Sequence, residues 1–488
     1  EEPNVLSASL AIIVALPVTR SAGGAAEKWE TWAFATLKTI KEVGVEIGSW
    51  QVVGETVGTY LTPDDTKRGG SVPIHVLSPS LAFSPAGAAA ANRKEAVAEK
   101  VVAVGAGAIG SQLITTLYRT GFGDWTIIDE DDLMPHNLAR HALDGFYIGW
   151  PKSAALAHYL EQIYPGHAEP IIADILDQGD SHELLQKEFA EAKLILDCSA
   201  SAIVARHLAT QVSSPARRVS VFLNPEGTDL VILAEDKCRD LTLDVLEAQY
   251  YRAVNAGGEL EGHLTSNSGK LRYGRSCRDI STTMSTQLVT MHAAIASQAV
   301  RTAIASEAAS ITIFRCNPET LAVTPVSVAP KRCVRQEFHD WTLFLDVQTL
   351  ELLAALRAGK LPNETGGVLM GLYDLGSKTI YVVDTIPSPP DSAEWPTLYI
   401  RGSEGLLKKV EEAAKRTGGQ LAYVGEWHSH PDGCATLPSS DDLQVFAWLT
   451  EHMATDSRPA LMAIVGEKRV SSWYLGEMLK AGGWNIKE

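Results

Sequence analysis

Residues 100–121, KVVAVGAGAIGSQLITTLYRTG, join an apolar run to a glycine-rich turn and a stretch with helical character. The turn places Gly105, Gly107 and Gly110 in a GxGxxG pattern. A strand, a glycine turn and a helix in this order predict a nucleotide-binding unit, because backbone amides and a helix N-terminus favour phosphate or a neighbouring ribose. The pattern alone fits any dinucleotide-binding protein, with NAD as the usual ligand.

Further apolar segments alternate with helical patterns after this turn. WTIIDEDD is a second predicted strand that ends in acidic residues, and LILDCSA and VSVFLNP are two more. The alternation predicts a mostly parallel sheet with helices on both faces over residues 91–322. Asp129, at the end of the second strand, is a candidate partner for ribose hydroxyls.

Polar and basic side chains follow Asp129, namely Asn137, Arg140 and Lys152. Such groups suit a triphosphate, since charge-assisted hydrogen bonds to phosphate are strong. The combination resembles the ThiF/MoeB/E1 family, which activates ubiquitin-like proteins. The resemblance implies that these three side chains contact the phosphates of ATP and that Asp129 holds the ribose. It also implies that ATP with magnesium binds in preference to NAD.

The segment Asp-Cys-Ser-Ala, which begins at Asp197, departs from this family. Its members usually carry Asp-x-x-Asp there, and the second Asp helps to hold magnesium. Ala200 stands at that position. Three expectations follow: Asp197 or another carboxylate helps to bind the ion, or adenylation is weak, or the domain is a binding scaffold with an inactive nucleotide site. His141 is a second departure, because a Gln commonly follows the Arg.

A cysteine with basic neighbours is the candidate acceptor of an activated tail. Cys277 lies between Arg275 and Arg278, just before a predicted helix. Positive charge and a helix N-terminus both favour the thiolate. The segment resembles the crossover-loop cysteine of bacterial E1 proteins found with antiphage systems, which implies a thioester intermediate. Cys238, which also has basic neighbours, is the alternative.

The segment EWHSHPDGCATLPSSDDL, residues 426–443, contains candidate metal ligands. His428 and His430 alternate at the end of a predicted strand, so both imidazoles point to one side. Asp442 could supply a carboxylate. Two histidines and one carboxylate with an open fourth position are typical of a catalytic zinc site.

Two further residues suit hydrolysis at this site. Glu364 is a candidate base for a water molecule whose pKa the ion lowers, and Ser439 is a candidate hydrogen-bond donor to the oxyanion. The set resembles the signature of the JAMM (JAB/MPN) metalloprotease family, which is Glu, His-x-His and Ser-x-x-Asp, over about residues 335–488. The resemblance implies a zinc peptidase or isopeptidase domain at 341–488.

The loop that leads from the histidines to Ser439 is one residue longer than usual in this family. Asp441 fits the usual spacing from His430, whereas Asp442 fits the spacing from Ser439. We favour Asp442 as the third ligand, because helix spacing is rigid whereas a loop absorbs an insertion. Cys434, inside the loop, is a candidate soft ligand.

The remaining sequence predicts a small α/β region of unknown role at 1–90 and a linker rich in proline and basic residues at 323–340. In the first region, residues 7–18 predict a buried strand and residues 27–44 a helix. The predicted fold class is therefore α/β. A Rossmann-like adenylating domain is followed by a JAB/MPN α/β metalloprotease domain, with the small α/β region at the N-terminus.

The composition limits the choice of partner and compartment. The net charge of −17 disfavours a nucleic-acid partner. The six cysteines are scattered without a CxxC pair, which favours the reducing cytoplasm over a disulfide framework. The apolar segment 7–18 is too short to span a bilayer, so no membrane partner is expected.

Together, the two resemblances imply a bacterial bifunctional protein of a ubiquitin-like pathway, acting in antiphage defence. The first domain would adenylate the C-terminus of a ubiquitin-like protein and transfer it through Cys277. An E2-like partner and a homodimer are expected with this activity. The second domain would trim the precursor or cleave conjugates. The alternative is activation of a sulfur carrier for cysteine, thiamine or molybdopterin synthesis.

Overall fold

The computed structural model describes residues 5–54, 56–62, 69–79, 83–265, 270–272, 280–282, 284–478 and 484–487. The chain divides into two compact units, Glu1–Phe83 and Ser84–Glu488. Among the described residues, no helix combines the length and the apolar composition that crossing a membrane requires.

The first unit is built on a three-stranded antiparallel sheet with the strand order β1-β2-β5. A helix and a two-stranded hairpin lie between β2 and β5 along the chain. The elements are β1 (Ser9–Val18), β2 (Lys28–Thr39), α1 (Ile40–Glu46), β3 (Trp50–Val53), β4 (Thr56–Thr59) and β5 (Ile74–Leu77).

Two predictions for this unit were wrong. Residues 27–44 form β2 and only then α1, because β2 pairs with β1 on one side and β5 on the other. Trp32 and Phe34 stack on one face of β2, as aromatic residues at alternate positions of a strand do. Residues 7–18 do contain a strand, which lies at the edge of the sheet, but no residue of β1 is buried.

The first part of the second unit contains an eight-stranded sheet in the order β15-β14-β11-β10-β9-β6-β7-β8. Strands β8, β7, β6, β9 and β10 are parallel, which confirms the mostly parallel sheet, and β11, β14 and β15 extend it in antiparallel fashion. The elements are α2 (Pro85–Ala91), β6 (Val97–Val104), α3 (Ala108–Tyr118), β7 (Phe122–Ile128), α4 (Lys152–Ile163), β8 (Ala168–Ile171), α5 (His182–Glu191), β9 (Leu194–Asp197), α6 (Ala202–Thr210), β10 (Arg217–Leu223), β11 (Asp229–Ala234), α7 (Leu243–Ala256), β12 (Lys270–Arg272), β13 (Ile280–Thr282), α8 (Thr286–Ala305), β14 (Ser310–Cys316) and β15 (Val323–Val328).

The central strand β6 is buried on both faces. Val101 and Ala103 pack into one apolar cluster, and Val102 and Val104 pack into another. Such a continuous apolar run is typical of a parallel strand with helices on both sides. The strand order puts a topological switch point between β6 and β9. Ligands of open α/β sheets bind at the carboxyl ends of the strands at such a point.

A second eight-stranded sheet follows, in the order β16-β17-β19-β18-β22-β23-β24-β25. It is mixed, because β17 pairs with β19 and β22 pairs with β23 in parallel, and the other pairs are antiparallel. The elements are β16 (Cys333–Phe338), β17 (Trp341–Asp346), α9 (Val347–Ala358), β18 (Gly366–Asp374), β19 (Thr379–Pro387), β20 (Ala393–Trp395), β21 (Leu398–Ile400), α10 (Leu406–Arg416), β22 (Ala422–Ser429), α11 (Ser440–Ala454), β23 (Ala460–Val465), β24 (Ser471–Met478) and β25 (Trp484–Lys487).

Helix α7 packs against the second sheet as well as the first. Its residues Val245 and Ala248 share an apolar cluster with Tyr381 and Val383 of β19. The hydroxyl of Tyr381 donates to Oδ2 of Asp244 over 2.7 Å. Burial of both apolar and hydrogen-bonded groups joins the two sheets into one body, consistent with their assignment to a single compact unit.

The region predicted as a linker, 323–340, contains β15 of the first sheet and β16 of the second, with only residues 329–332 between them. Gln249 of α7 donates from Nε2 to the carbonyl of Lys331 over 2.7 Å and accepts the N–H of Lys331 over 2.8 Å. The proline content is compatible with a strand because Pro325 lies on β15, at the edge of its sheet.

Candidate nucleotide and metal sites

The glycine turn lies between β6 and α3, at the switch point. Gly105 has a φ of +95°, and a Cβ there would lie 2.8 Å from backbone atoms of Cys198 and Ser199 after β9. A Cβ at Gly110 would lie 2.2 Å from the carbonyl oxygen of Gly105. Both positions therefore require glycine. A Cβ at Gly107, the N-cap of α3, would meet no atom of the described residues within 4 Å, so the helix N-terminus could accept a phosphate there.

Asp129 supports the glycine turn from the end of β7. Its Oδ2 accepts the N–H of Ala106 over 2.7 Å, and its Oδ1 accepts the N–H of Asp131 over 3.0 Å. Burial raises the pKa of this carboxyl. The side chain that the sequence predicted as a ribose partner therefore also shapes the turn.

His141 holds the same turn from another side. Its Nε2 donates to the carbonyl of Ala106 over 2.7 Å, and its Nδ1 accepts the N–H of Leu143 over 3.2 Å. Burial lowers the pKa of the imidazole to about 4, so the ring is neutral near pH 7 and keeps this donor and acceptor pattern. The sequence showed His141 only as a departure from the family and gave no sign of this contact.

The three predicted phosphate ligands follow β7. Lys152, the first residue of α4, donates from Nζ to Oδ2 of Asp131 over 2.8 Å. The carbonyl of Arg140 accepts a hydrogen bond from Gln112 of α3 over 2.6 Å. Asn137 accepts a backbone N–H of its own turn over 2.8 Å. The structure thus ties Lys152 to the acidic end of β7 and Arg140 to the helix that starts at the glycine turn.

Asp197 is buried at the end of β9 with both carboxylate oxygens engaged. Oδ1 accepts from the N–H of Ser199 over 3.0 Å and from its hydroxyl over 2.7 Å, and Oδ2 accepts from the hydroxyl of Ser220 over 2.6 Å. Ala200 has a left-handed φ of +55° and offers no side-chain oxygen. This pair therefore does not form an open ligand set for magnesium.

The candidate acceptor Cys277 lies outside the described residues. Its alternative, Cys238, is exposed and not in a disulfide. Cys198 is buried beside the glycine turn, and burial raises the pKa of its thiol well above the usual range. A buried thiol of that kind is a poor nucleophile, so Cys198 is a packing residue.

The predicted metal ligands lie together where β22 meets α11. His428, His430 and Asp442 each offer a ligand atom, and these atoms lie within 4.8 Å of one another. Nε2 of His428 is buried, makes no hydrogen bond to any described residue and lies 3.4 Å from Oδ1 of Asp442. A buried polar atom without a hydrogen-bond partner is costly unless it binds another group, such as a metal ion.

Asp442 is held by a capping box at the start of α11. Its Oδ2 accepts the N–H of Ser439 over 2.7 Å, and the hydroxyl oxygen of Ser439 accepts the N–H of Asp442 over 3.2 Å. With Oδ2 engaged in the capping box, Oδ1 of Asp442 faces His428. Asp441, the rival ligand, is exposed and is not part of the cluster.

His430 is held from two directions. Its Nδ1 donates to the carbonyl of Ala435 over 2.6 Å, which selects the tautomer that leaves Nε2 free to bind a metal. Arg357, buried in the last turn of α9, donates from Nε to the carbonyl of His430 over 2.8 Å and from Nη2 to Oδ1 of Asp432 over 2.6 Å. Arg357 could not be predicted as part of this site, because no local sequence pattern links α9 to the histidine loop.

Glu364 precedes β18 and is half-buried next to this cluster. Its N–H donates to the carbonyl of Trp395 over 2.9 Å. Burial raises the pKa of its carboxyl; the positive fields of His430 and His428 oppose that shift, and Asp442 adds to it. A raised pKa brings the carboxyl towards the range in which it can both accept and return a proton.

The donor set fits zinc. Two imidazoles and one carboxylate match the ligands of a catalytic zinc ion. The carbonyl of Ala435 fixes the tautomer of His430, and the buried Nε2 of His428 has no hydrogen bond to the described residues. Cys434 is exposed in the loop and is not part of the cluster of ligand atoms.

Comparison with protein families identifies one known domain in each of the two parts of the chain that contain the candidate sites. The model of the ThiF family matches residues 77–231, and the model of prokaryotic homologues of the JAB domain matches residues 346–476. The chain belongs to the proteins that join a ThiF domain to a prokaryotic JAB domain. The glycine turn lies in the ThiF domain, and the histidine cluster lies in the JAB domain.

Individual relatives match parts of this ThiF–JAB chain. A CD-NTase/cGAS isopeptidase of Enterobacter hormaechei is 33% identical over 145 residues, which are 29% of this chain and 77% of the relative. The ATP-dependent ubiquitin transferase-like protein Cap2 of the same organism is 32% identical over 111 residues, 23% of this chain but only 18% of Cap2.

A solved structure of Escherichia coli MccB with AMPCPP and MccA is 16% identical, and the match covers 48% of this chain and 64% of that one at a TM-score of 0.32. That similarity is too distant to support an inference on function.

Proposed function

We propose that the ThiF domain adenylates the C-terminal carboxylate of a ubiquitin-like protein with ATP, and that the JAB domain is a zinc isopeptidase acting at the same kind of tail. The observation that carries the proposal is the cluster of His428, His430 and Asp442 beside Glu364, in one chain with a GxGxxG turn. The names of the relatives, an isopeptidase and a ubiquitin transferase-like protein, support it.

The adenylation step joins the tail carboxylate to the α-phosphate of ATP and releases pyrophosphate. The open N-terminus of α3 at Gly107 would accept a phosphate, and Lys152 and Arg140 would donate charge-assisted hydrogen bonds to the others. Lys152 pairs with Asp131 over 2.8 Å, so ATP would replace this partner. Asp129 would contribute to both the turn and the ribose site.

The hydrolysis step uses the side chains around the histidine cluster. When bound there, zinc supplies Lewis-acid polarisation of the scissile carbonyl and lowers the pKa of a water molecule. The carboxylate of Glu364 accepts the proton of the attacking water and passes it to the leaving amine. The hydroxyl of Ser439 donates to the carbonyl oxygen as it gains negative charge.

The proposed substrate of the JAB domain is a peptide or isopeptide bond at the C-terminus of a ubiquitin-like protein, in a precursor or a conjugate. The relative named for CD-NTase/cGAS favours a role in antiphage defence. A homodimer, an E2-like partner and a cytoplasmic location belong to the same proposal.

Two assays test the two halves. Exchange of labelled pyrophosphate into ATP, in the presence of magnesium and candidate ubiquitin-like proteins, should occur with wild type and fall strongly in Arg140→Ala. Cleavage of a fusion between the same ubiquitin-like protein and a fluorescent protein should occur with wild type. In Glu364→Gln, cleavage should fall by two orders of magnitude or more with zinc retained, because this change removes the proton shuttle and no ligand.

A second candidate for the ThiF domain is a binding scaffold. It is favoured by Asp197, whose oxygens are already hydrogen-bonded, and by Ala200, which supplies no ligand. Partner binding without any pyrophosphate exchange would support the scaffold and contradict adenylation. Tighter binding of NAD than ATP in a calorimetric titration would contradict the nucleotide assignment.

A further inference from the structure

A short hairpin outside the metal cluster is bonded to the residues around Glu364. It consists of β20 and β21, residues 393–400, between β19 and α10. Its Trp395 carbonyl accepts the N–H of Glu364 over 2.9 Å. Its Tyr399 ring packs so closely on the start of β18 that a Cβ at Gly366 would lie 2.4 Å from it.

Glu394 of this hairpin contacts one residue that precedes Glu364 in the sequence, Lys360, and one that follows it, Thr365. One carboxylate oxygen accepts the hydroxyl proton of Thr365 over 2.6 Å, and the other accepts from Nζ of Lys360 over 2.6 Å. The Glu394 side chain is only 15% exposed. Burial by itself would raise the pKa of this carboxyl, but its hydrogen bonds outweigh burial and lower it, so Glu394 is ionised at neutral pH.

Thr365 connects this contact to the metal ligands. Its N–H donates to the hydroxyl of Ser429 over 3.0 Å, and its carbonyl accepts the N–H of Ser429 over 2.7 Å. Ser429 is the residue between His428 and His430, and both Thr365 and Ser429 are buried. The backbone that carries Glu364 is thus fastened to the histidine strand on one side and to the hairpin on the other.

We propose that Glu394 is a positioning residue for Glu364. By binding Thr365 and Lys360, it keeps the carboxylate of Glu364 next to the cluster of His428, His430 and Asp442. The inference rests on the proposed peptidase function and adds a residue that none of the ligand or proton-transfer roles includes. A general base must be within hydrogen-bond reach of the proton that it accepts, so loss of this anchor lowers the rate without removing a catalytic group.

The test compares Thr365→Val and Glu394→Ala with Thr365→Ser, which keeps the hydroxyl. For cleavage of the fusion described above, kcat is expected to fall about 10- to 100-fold in Thr365→Val and Glu394→Ala, with KM within about 2-fold of wild type. Thr365→Ser is expected to recover most of kcat. Zinc content should equal that of wild type in all three variants.

Glu337→Ala is the matched control. Glu337 also accepts from a threonine hydroxyl, that of Thr342, and pairs with a basic side chain, Arg335, but it lies on β16 at the edge of the sheet. Its variant should keep the wild-type kcat. Equal losses in Glu337→Ala and Glu394→Ala, or a wild-type kcat in Thr365→Val, would overturn the positioning role.

Hydrogen–deuterium exchange gives a readout that does not depend on cleavage. Exchange in peptides covering residues 360–367 should rise in Thr365→Val and Glu394→Ala and remain at the wild-type level in peptides covering β23. Unchanged exchange in 360–367 would overturn the proposal even if cleavage fell. An inactive wild type would contradict the proposed peptidase function instead, and the exchange data would still decide whether Glu394 anchors this segment.

Discussion

His428 and Asp442 face each other over 3.4 Å, with Nε2 of the histidine buried and without a hydrogen bond to the described residues. We therefore expect purified protein to contain about one zinc per chain, as measured by mass spectrometry. His428→Ala and Asp442→Asn should lose most of this metal, since each removes one of three ligands. Asp441→Asn, the matched control, should retain it because Asp441 is exposed.

Two outcomes would contradict the ligand assignment. Equal zinc in wild type and His428→Ala would exclude the cluster as the metal site. Loss of zinc in Asp441→Asn together with its retention in Asp442→Asn would move the third ligand to Asp441.

Cys277 has Arg275 and Arg278 as sequence neighbours, and we expect it to carry the activated tail as a thioester. Incubation with ATP, magnesium and the ubiquitin-like protein should give a thiol-sensitive adduct on non-reducing gels. The adduct should be lost in Cys277→Ala and persist in Cys238→Ala. An adduct that persists in Cys277→Ala would show that the assignment is wrong.

Accumulation of the adenylate with no adduct in any variant would favour sulfur-carrier activation or direct transfer to an E2.

At the scale of elements, α9 is joined to α7 by a buried ion pair. Asp346, the N-cap of α9, accepts the N–H of Gln348 over 2.7 Å and pairs with Arg252 of α7. Asp346→Ala should lower the free energy of unfolding by about 3 kcal/mol or more, because it leaves the Arg252 charge buried without its partner and removes the cap. Denaturant titration of the full chain measures this loss.

The control for this variant is an exposed ion pair. Lys237 and Glu307 have side-chain exposures of 69% and 80%. Glu307→Gln should leave the free energy of unfolding close to that of wild type, as expected for a solvated pair. Similar effects of Asp346→Ala and Glu307→Gln would show that the pair between α7 and α9 does not stabilise the protein.

At the scale of the whole molecule, helix α7 and the JAB domain share an apolar cluster that includes Val245 of α7 and Tyr381 and Val383 of β19. Residues 333–488 expressed alone would expose this surface. We therefore expect a Tm at least roughly 5 °C below that of the full chain and stronger binding of an apolar dye.

Residues 84–488 provide the comparison for this experiment, since they form one compact unit and Glu1–Phe83 forms another. Residues 84–488 should melt at the Tm that the full chain shows for its JAB domain. An isolated JAB domain that melts at the same temperature as residues 84–488 would show that the shared cluster contributes little to stability.

Much of the organisation was predictable because it depends on short-range patterns. The spacing of Gly105, Gly107 and Gly110, after an apolar run and before a helical pattern, indicates a nucleotide-binding turn without any tertiary information. The alternation of His428 and His430 puts two imidazoles on one side of a strand by backbone geometry alone. These patterns, with apolar runs for buried strands, were sufficient to predict two α/β domains and their order.

Other features were decided only by contacts between distant parts of the chain. Residues 27–44 became mostly strand because β1 and β5 pair with them on both sides, although their local composition allowed a helix. Residues 323–340 became strands because each end joins a different sheet. His141, Arg357 and Glu394 acquired supporting roles from partners 35, 73 and 29 positions away along the chain. A sequence pattern shows the periodicity of helices and strands and the positions of turns. Hydrogen bonds between residues far apart in the sequence form only after folding brings their donors and acceptors together.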